Sequence, residues 1–168
     1  MRESIRFARG ESLLGNFVVA MSDHGIVALE FADDGQAADQ RLQHSFREAV
    51  IVDDQQGSAD IIAKIRTAID QPGFDPCIPL DLRGTPYQVQ IWRMLRDIPV
   101  GETTTYGALA AKLGTRDPRD LTAAISANPV AILVPCHRVI KKNGSISGYR
   151  WGPRRKRALL ARERALAQ

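Results

Sequence analysis

Alternating apolar and polar side chains mark three short strands near the N-terminus, at 3–9, 15–21 and 26–31, and Ser22-Asp23-His24-Gly25 has the composition of a hairpin turn between the last two. The pattern predicts a small antiparallel meander. The apolar period then lengthens to that of a helix, with Leu42 and Phe46 inside 36–48 and Ile61, Ile62, Ile65 and Ile69 inside 58–70. Pro72, Gly73, Pro76 and Pro79 interrupt any regular element after that. A boundary is therefore expected at about residue 80, dividing the chain into an N-terminal α/β unit, 1–80, and a second unit, 81–168.

The second half opens on a well-marked helix. Thr85 predicts its N-cap, Pro86 its first position, and Tyr87, Ile91, Met94, Leu95 and Ile98 its apolar stripe, before Pro99 and Gly101 stop it. A second helix is expected over about 104–113, closed by Gly114, and a third opens with Asp117 as N-cap, Pro118 first and Asp120 third. The four-residue link from Gly114 to Asp117 reads as the turn of a helix-turn-helix, which sets the later helix against DNA; any small helical bundle gives the same pattern. Beyond Arg119 and Asp120 that helix, running to Ala127, is small or apolar. It offers little with which to read base edges, and suits either a close approach to a narrow groove or burial within the fold.

Composition agrees with such an architecture. A chain of 168 residues, 44% hydrophobic and 25% charged, fits one soluble domain or two small ones. No apolar run approaches the ~18 to 20 residues that span a bilayer, and MRESIRFARG lacks the apolar segment of a secretory signal. A cytoplasmic protein without a membrane partner is expected. The net charge of +4 conceals a division: residues 1–81 hold 7 Lys and Arg against 14 Asp and Glu, whereas 82–168 hold 16 against 5. So basic a half suggests a polyanion, nucleic acid first, although Arg154-Arg155-Lys156-Arg157 also reads as a solvated helix face.

Two cysteines are too few for a disulfide scaffold, and neither has the spacing of a structural zinc site. Cys77, between prolines, reads as a packing residue. Cys136 ends an apolar run of strand type that starts at Asn128 and is followed at once by His137 and Arg138. A thiolate is favoured beside a cation or a basic imidazole, so Cys136 is a candidate nucleophile; a buried hydrophobic cysteine is the other reading.

The string Pro135-Cys136-His137-Arg138-Val139, with Asn128 eight residues before the cysteine and Ser147-Gly148-Tyr149-Arg150-Trp151-Gly152 after it, resembles the O6-alkylguanine-DNA alkyltransferase family. The likeness runs through Leu82-Arg83-Gly84-Thr85, Ile98-Pro99-Val100-Gly101-Glu102-Thr103, Tyr106 and Leu159-Leu160-Ala161-Arg162-Glu163, and so covers essentially all of 82–168. Residues 1–81 match more loosely.

The resemblance implies an α+β fold with a small N-terminal antiparallel sheet and helices, ribonuclease H-like, followed by a C-terminal winged helix-turn-helix domain. It implies a monomer without a cofactor or a metal, whose partner is double-stranded DNA containing alkylated guanine. Cys136 would accept the alkyl group irreversibly from guanine O6 or, more slowly, thymine O4. His137 would contact Cys136 through water and be oriented by Glu163, a pair that read from residues alone is equally a surface ion pair. Tyr106 would direct its phenol at guanine N3. The backbone around Val139 would bind the exocyclic amine, and the amide after Tyr149, that of Arg150, the O6 atom. Arg119 would fill the stack vacated by the flipped base, and Asn128 would end the helix and support the turn to the cysteine. Trp151 would narrow the pocket towards methyl, or else pack under the basic helix. Asp120 and Leu121 stand where relatives carry small or aliphatic residues, and Asp120 is read as completing the cap made by Asp117. Two alternatives from other classes stand beside this one: a non-catalytic lesion-binding relative, a group that replaces the nucleophile, and a winged-helix transcription regulator, which needs no Pro-Cys-His-Arg. A cysteine hydrolase would require a site for water attack that the motif does not suggest.

Overall fold

Nine residues, Ser4–Ser12, form strand β1, around which the N-terminal sheet is built in a computed structural model that describes residues 2–114, 117–146 and 148–167. β1 pairs antiparallel with β2 (Gly15–Ser22), and β2 pairs antiparallel with β3 (Gly25–Phe31). The meander is thus as the alternation predicts, but the sheet is not wholly antiparallel. A fourth strand, β4 (Val50–Asp53), runs parallel to β1 on its other edge, giving the order β3-β2-β1-β4. Parallel pairing requires a crossover, and helix α1 (Gly35–Ser45) supplies it. Val50, Ile51 and Val52 are too short a run to announce a strand. The core joins Ile5, Val18, Ala20 and Val27 of the sheet to Ala38 and Leu42 of α1. Helix α2 (Ala59–Asp70) packs on β1 and buries Ile62, Ile65 and Ile69.

The chain divides into two compact units, Met1–Arg83 and Gly84–Gln168. The segment just before the division is tied to the first unit: the Asp81 amide donates to the Ile26 carbonyl at 2.8 Å, the Ser22 hydroxyl to the Asp81 carboxylate at 2.6 Å, and Arg83 to Glu3 at 2.7 Å. Cys77, read as a packing residue, is exposed at a turn with φ +55°, where its amide donates to Asp75 at 2.8 Å. Local turn chemistry holds it, not the core.

In the second unit, helix α3 (Pro86–Arg96) begins at a full capping box, Thr85 and Gln88 each bonding the other's amide at 3.0 to 3.1 Å. It packs on α5 (Pro118–Ser126), and the buried Trp92 indole donates to the Ala124 carbonyl at 2.8 Å. Between them lie a two-residue strand, β5 (Thr104–Thr105), and helix α4 (Tyr106–Leu113), which stops at Gly114 in the left-handed conformation that glycine adopts without penalty. Thr115 and Arg116, in the middle of the link expected to form the turn, lie outside the described residues.

Helix α5 is neither wholly buried nor wholly free. Leu121, Ala124 and Ile125 face inward, and Arg119, Thr122, Ala123 and Ser126 line an exposed face of mostly small residues. A one-turn 3-10 helix (Cys136–Arg138) follows, then β6 (Val139–Ile140), parallel to β5, and helix α6 (Pro153–Ala167) against the 3-10 turn. The 154–157 run is not a uniformly solvated face, since Lys156 is buried with Leu159, Leu160 and Glu163. The positions 156, 159, 160 and 163 repeat at helical spacing and form the inward stripe of α6. Among the described residues no helix is long and apolar enough to cross a membrane.

Candidate active site around Cys136

Asn128 ends α5 fully buried, and its side chain replaces the pairing that a strand would have supplied to the run after it. Nδ2 donates to the Val134 carbonyl at 2.9 Å, and Oδ1 accepts from the Val130 amide at 2.9 Å. The intervening chain winds through turns in which Leu133 bonds Ala131 at 2.7 Å, with Ile132 at φ +69°. A β-branched residue there costs on the order of 1 to 3 kcal/mol and persists only where its surroundings fix it, as the two Asn128 bonds do here. The apolar run read as a strand is therefore a wound loop. It delivers Cys136 to the start of the 3-10 turn.

Cys136 is 5% exposed. Burial pushes its thiol up, against a hydrogen bond from the Asn128 side chain and the charges of Lys156 and Arg150. The thiolate expected beside two basic neighbours is thus not the resting form, because burial outweighs them. Arg138 is moreover committed elsewhere. Its guanidinium donates to Glu163 at 2.9 to 3.2 Å and to the Ile98 carbonyl at 2.7 Å.

His137 and Glu163 form a buried pair, Nε2 to Oε1 at 2.8 Å, not a surface ion pair. Burial would raise the Glu163 carboxyl, but its bonds to His137 and Arg138 hold it down to about 2. Burial lowers His137, in spite of Glu163. A neutral ring facing a carboxylate carries its proton on Nε2, which leaves Nδ1 a lone pair; Nδ1 is buried with no hydrogen-bond partner among the described residues. The arrangement is a base without a proton beside a thiol that has one.

Lys156, concealed in the sequence by its arginine neighbours, is 1% exposed and donates from Nζ to the Val139 carbonyl at 2.6 Å. Tyr106, the first residue of α4, is brought to the same region by the β5–β6 pairing; burial and the neighbouring Cys136 push its phenol up, so it holds its proton. Tyr149 and Trp151 are buried, their rings edge to face with centroids 5.4 Å apart. The Arg150 guanidinium lies 5.2 Å from the Trp151 ring centroid and donates to the Asn128 carbonyl at 2.8 Å. Arg119 stands apart on the exposed face of α5, its side chain 90% exposed and paired with Asp117 at 3.2 Å. Asp117 caps the helix by accepting from the Arg119 amide at 2.9 Å, and Asp120 lies in the first turn, where its charge faces the positive end of the helix. Cys136, His137, Glu163, Tyr106, Asn128 and Tyr149 to Trp151 thus form one cluster, with Arg119 outside it.

The family model for the DNA-binding domain of 6-O-methylguanine DNA methyltransferase matches residues 86–165. The chain is 38% identical over 166 residues to the Escherichia coli bifunctional transcriptional activator/DNA repair enzyme Ada, covering 95% of this chain and 46% of that protein. It is 47% identical over 91 residues to the Mycobacterium tuberculosis methylated-DNA–protein-cysteine methyltransferase, covering 54% of this chain and 55% of that one. The chain thus spans about half the length of these relatives. Among solved structures, M. tuberculosis OGT in complex with DNA superposes with a TM-score of 0.76 at 31% identity, covering 95% of this chain and 93% of that one. The M. tuberculosis O6-methylguanine methyltransferase gives 0.78 at 30%, covering 96% and 93%. Among the described residues the fold is mixed α+β with a small sheet and six helices, the likeness to that structure runs along nearly the whole of both chains, and this protein belongs to the O6-methylguanine-DNA methyltransferase family.

Proposed function

We propose that this chain repairs duplex DNA by transferring the methyl group of O6-methylguanine to its own Cys136, once per molecule. The observation that carries this reading is the buried thiol of Cys136 beside a neutral His137 whose Nε2 is held by Glu163 and whose buried Nδ1 has no hydrogen-bond partner among the described residues. In the reaction the Cys136 proton passes to Nδ1 of His137, through water in the arrangement the family implies. The sulfur then attacks the methyl carbon, an S–C bond forms, and the C–O6 bond breaks with its electron pair left on the purine. Tyr106 supplies a proton at N3, guanine departs, and the proton on His137 returns to Tyr106 through solvent. Burial makes a thiolate costly at rest, and forming the neutral thioether removes that cost. Thymine O4 is a slower substrate on this reading.

Access to a base inside a duplex requires extrusion, and the small-residue face of α5 suits a helix that enters the minor groove without reading sequence. α4 and α5 act as a helix-turn-helix in a winged C-terminal domain, and the acidic first unit takes the ribonuclease H-like fold, with the working boundary near residue 80. Arg119 replaces the extruded base in the stack. The Val139 carbonyl and the Arg150 amide read the guanine edge, Tyr149 lines the pocket, and Trp151 narrows it towards methyl. A cytoplasmic monomer fits this role.

Incubation with duplex DNA containing O6-methylguanine, followed by mass spectrometry, tests the proposal. One methyl gained on the peptide holding Cys136, and repair that stops at one lesion per protein, are the expected results. Repaired guanine in excess of active protein, or an unmodified Cys136 after repair, would overturn it.

A further inference from the structure

We infer that the Arg150 side chain sets the size of alkyl group the site accepts, by clamping the Trp151 indole from the carboxyl end of α5. This rests on the transfer reading above and adds a role for a side chain of which that reading uses only the backbone amide. Arg150 Nη1 donates to the Asn128 carbonyl at 2.8 Å while its guanidinium carbon lies 5.2 Å from the Trp151 ring centroid. On its other contact the indole meets Tyr149 edge to face at 5.4 Å. Trp151 and Tyr149 are each 8% exposed, so the ring is packed within the unit. Arg150 is close enough to Cys136 for its charge to favour the thiolate, and the Tyr149 phenol is close enough for Cys136 to push it up. The indole therefore sits between a neighbour of the nucleophile and a cation anchored on Asn128, the residue whose side chain shapes the loop carrying that nucleophile.

Arginine suits such a clamp for two reasons. Its plane stacks on an aromatic ring while its edge donates, which an ammonium on a flexible stem does not reproduce. The acceptor is also a carbonyl just past the end of α5, where the helix dipole is negative and a cation is favoured. Without the guanidinium, Trp151 loses the cation stacked on it and keeps its edge-to-face contact with Tyr149, and it can swing aside to admit a larger group.

Single-turnover transfer from duplexes containing O6-methylguanine or O6-benzylguanine tests this, in the wild type, Arg150→Ala, Arg150→Lys, Trp151→Ala and the double variant Arg150→Ala/Trp151→Ala. The benzyl-to-methyl rate ratio should rise about tenfold in Arg150→Ala, the scale of one stacked, charge-assisted contact. Arg150→Lys should raise it too, because charge alone does not hold the ring. The double variant should show the ratio of Trp151→Ala, since Arg150 acts through that ring. A ratio within twofold of wild type in Arg150→Ala, or effects that multiply in the double variant, would overturn the inference. Fluorine NMR of fluorotryptophan-labelled protein reads the clamp without a lesion: the Trp151 signal, assigned with Trp151→Phe, should move in Arg150→Ala, and an unmoved signal counts against it. A wild type that transfers neither group refutes the transfer reading and the size selection with it; transfer with an unchanged ratio refutes the size selection alone.

Discussion

His137 Nε2 and Glu163 Oε1 meet at 2.8 Å in the interior of the second unit, 26 residues apart in sequence, with Arg138 on the same carboxylate. That contact makes stability depend on pH in a definite sense. Glu163 is held down to about 2 from a usual 4.5, so its contribution is complete above pH 4.5 and is lost as pH falls towards 2. The difference corresponds to roughly 3 kcal/mol. His137 is also lowered, so the unfolded chain takes up a proton below about pH 6.5 that the folded ring resists, and stability begins to fall there. Thermal melts from pH 7 to 3 should show a monotonic decline. In Glu163→Gln the melting temperature at pH 7 should be lower and the decline below pH 4.5 much shallower; an unchanged slope would show that the carboxylate does not govern acid stability.

Lys156 bears on the nucleophile itself. Its ammonium is buried, its own pKa is lowered by that burial, and its charge favours the Cys136 thiolate. Lys156→Met, which keeps the length of the stem and removes the charge, should raise the Cys136 thiol further. The pH midpoint for alkylation of Cys136 by iodoacetamide should move upward. At a fixed pH below the midpoint, the alkylation rate should fall about tenfold for every pH unit by which the midpoint rises. An unmoved midpoint would leave Lys156 only its bond to the Val139 carbonyl.

The local rules of helix ends made much of the fold legible. The N-cap at Thr85, the N-cap at Asp117 and the stop at Gly114 depend on residues within a turn of one another, and each stands where the sequence puts it. What escaped reading was set by distant partners. β4 exists because β1 has a free edge, not because three apolar residues demand a strand. The run after Asn128 has strand composition, yet a single buried amide side chain winds it into turns. Arg138 looked like an activator of Cys136 because it lies two residues away, whereas folding turns it to Glu163. Lys156 was hidden in an arginine-rich stretch, although its spacing from Leu159, Leu160 and Glu163 marks the buried face of α6.

Arg119 allows binding and chemistry to be separated. It lies outside the cluster around Cys136, on an exposed helix face. Arg119→Ala should slow repair of O6-methylguanine in duplex DNA by an order of magnitude or more while transfer from the free alkylated base stays within about twofold, because only the duplex requires a base to be extruded. The duplex affinity of the wild type should fall steeply with salt and vary little with sequence. Equal losses on both substrates would assign Arg119 to the fold instead.

Asn128 should govern the change in stability that accompanies methylation. Its side chain satisfies the Val134 carbonyl and the Val130 amide in a fully buried site and lies close enough to the Cys136 sulfur to favour the thiolate. A thioether accepts hydrogen bonds poorly, and one added carbon in a packed site costs about 1 to 3 kcal/mol, so the methylated protein should melt below the free thiol. Asn128→Ala leaves two buried backbone groups unpaired, at about 1 to 3 kcal/mol each, and should by itself lower the melting temperature by several degrees or more. It also removes the polar neighbour that favours the sulfur before methylation and not after it, together with some of the crowding. The gap between thiol and methylated forms should therefore narrow in the mutant, as melts of the four species will show. A gap equal to that of the wild type would mean that methylation is sensed elsewhere in the site, and a methylated wild type as stable as the thiol would mean that it is not sensed at all.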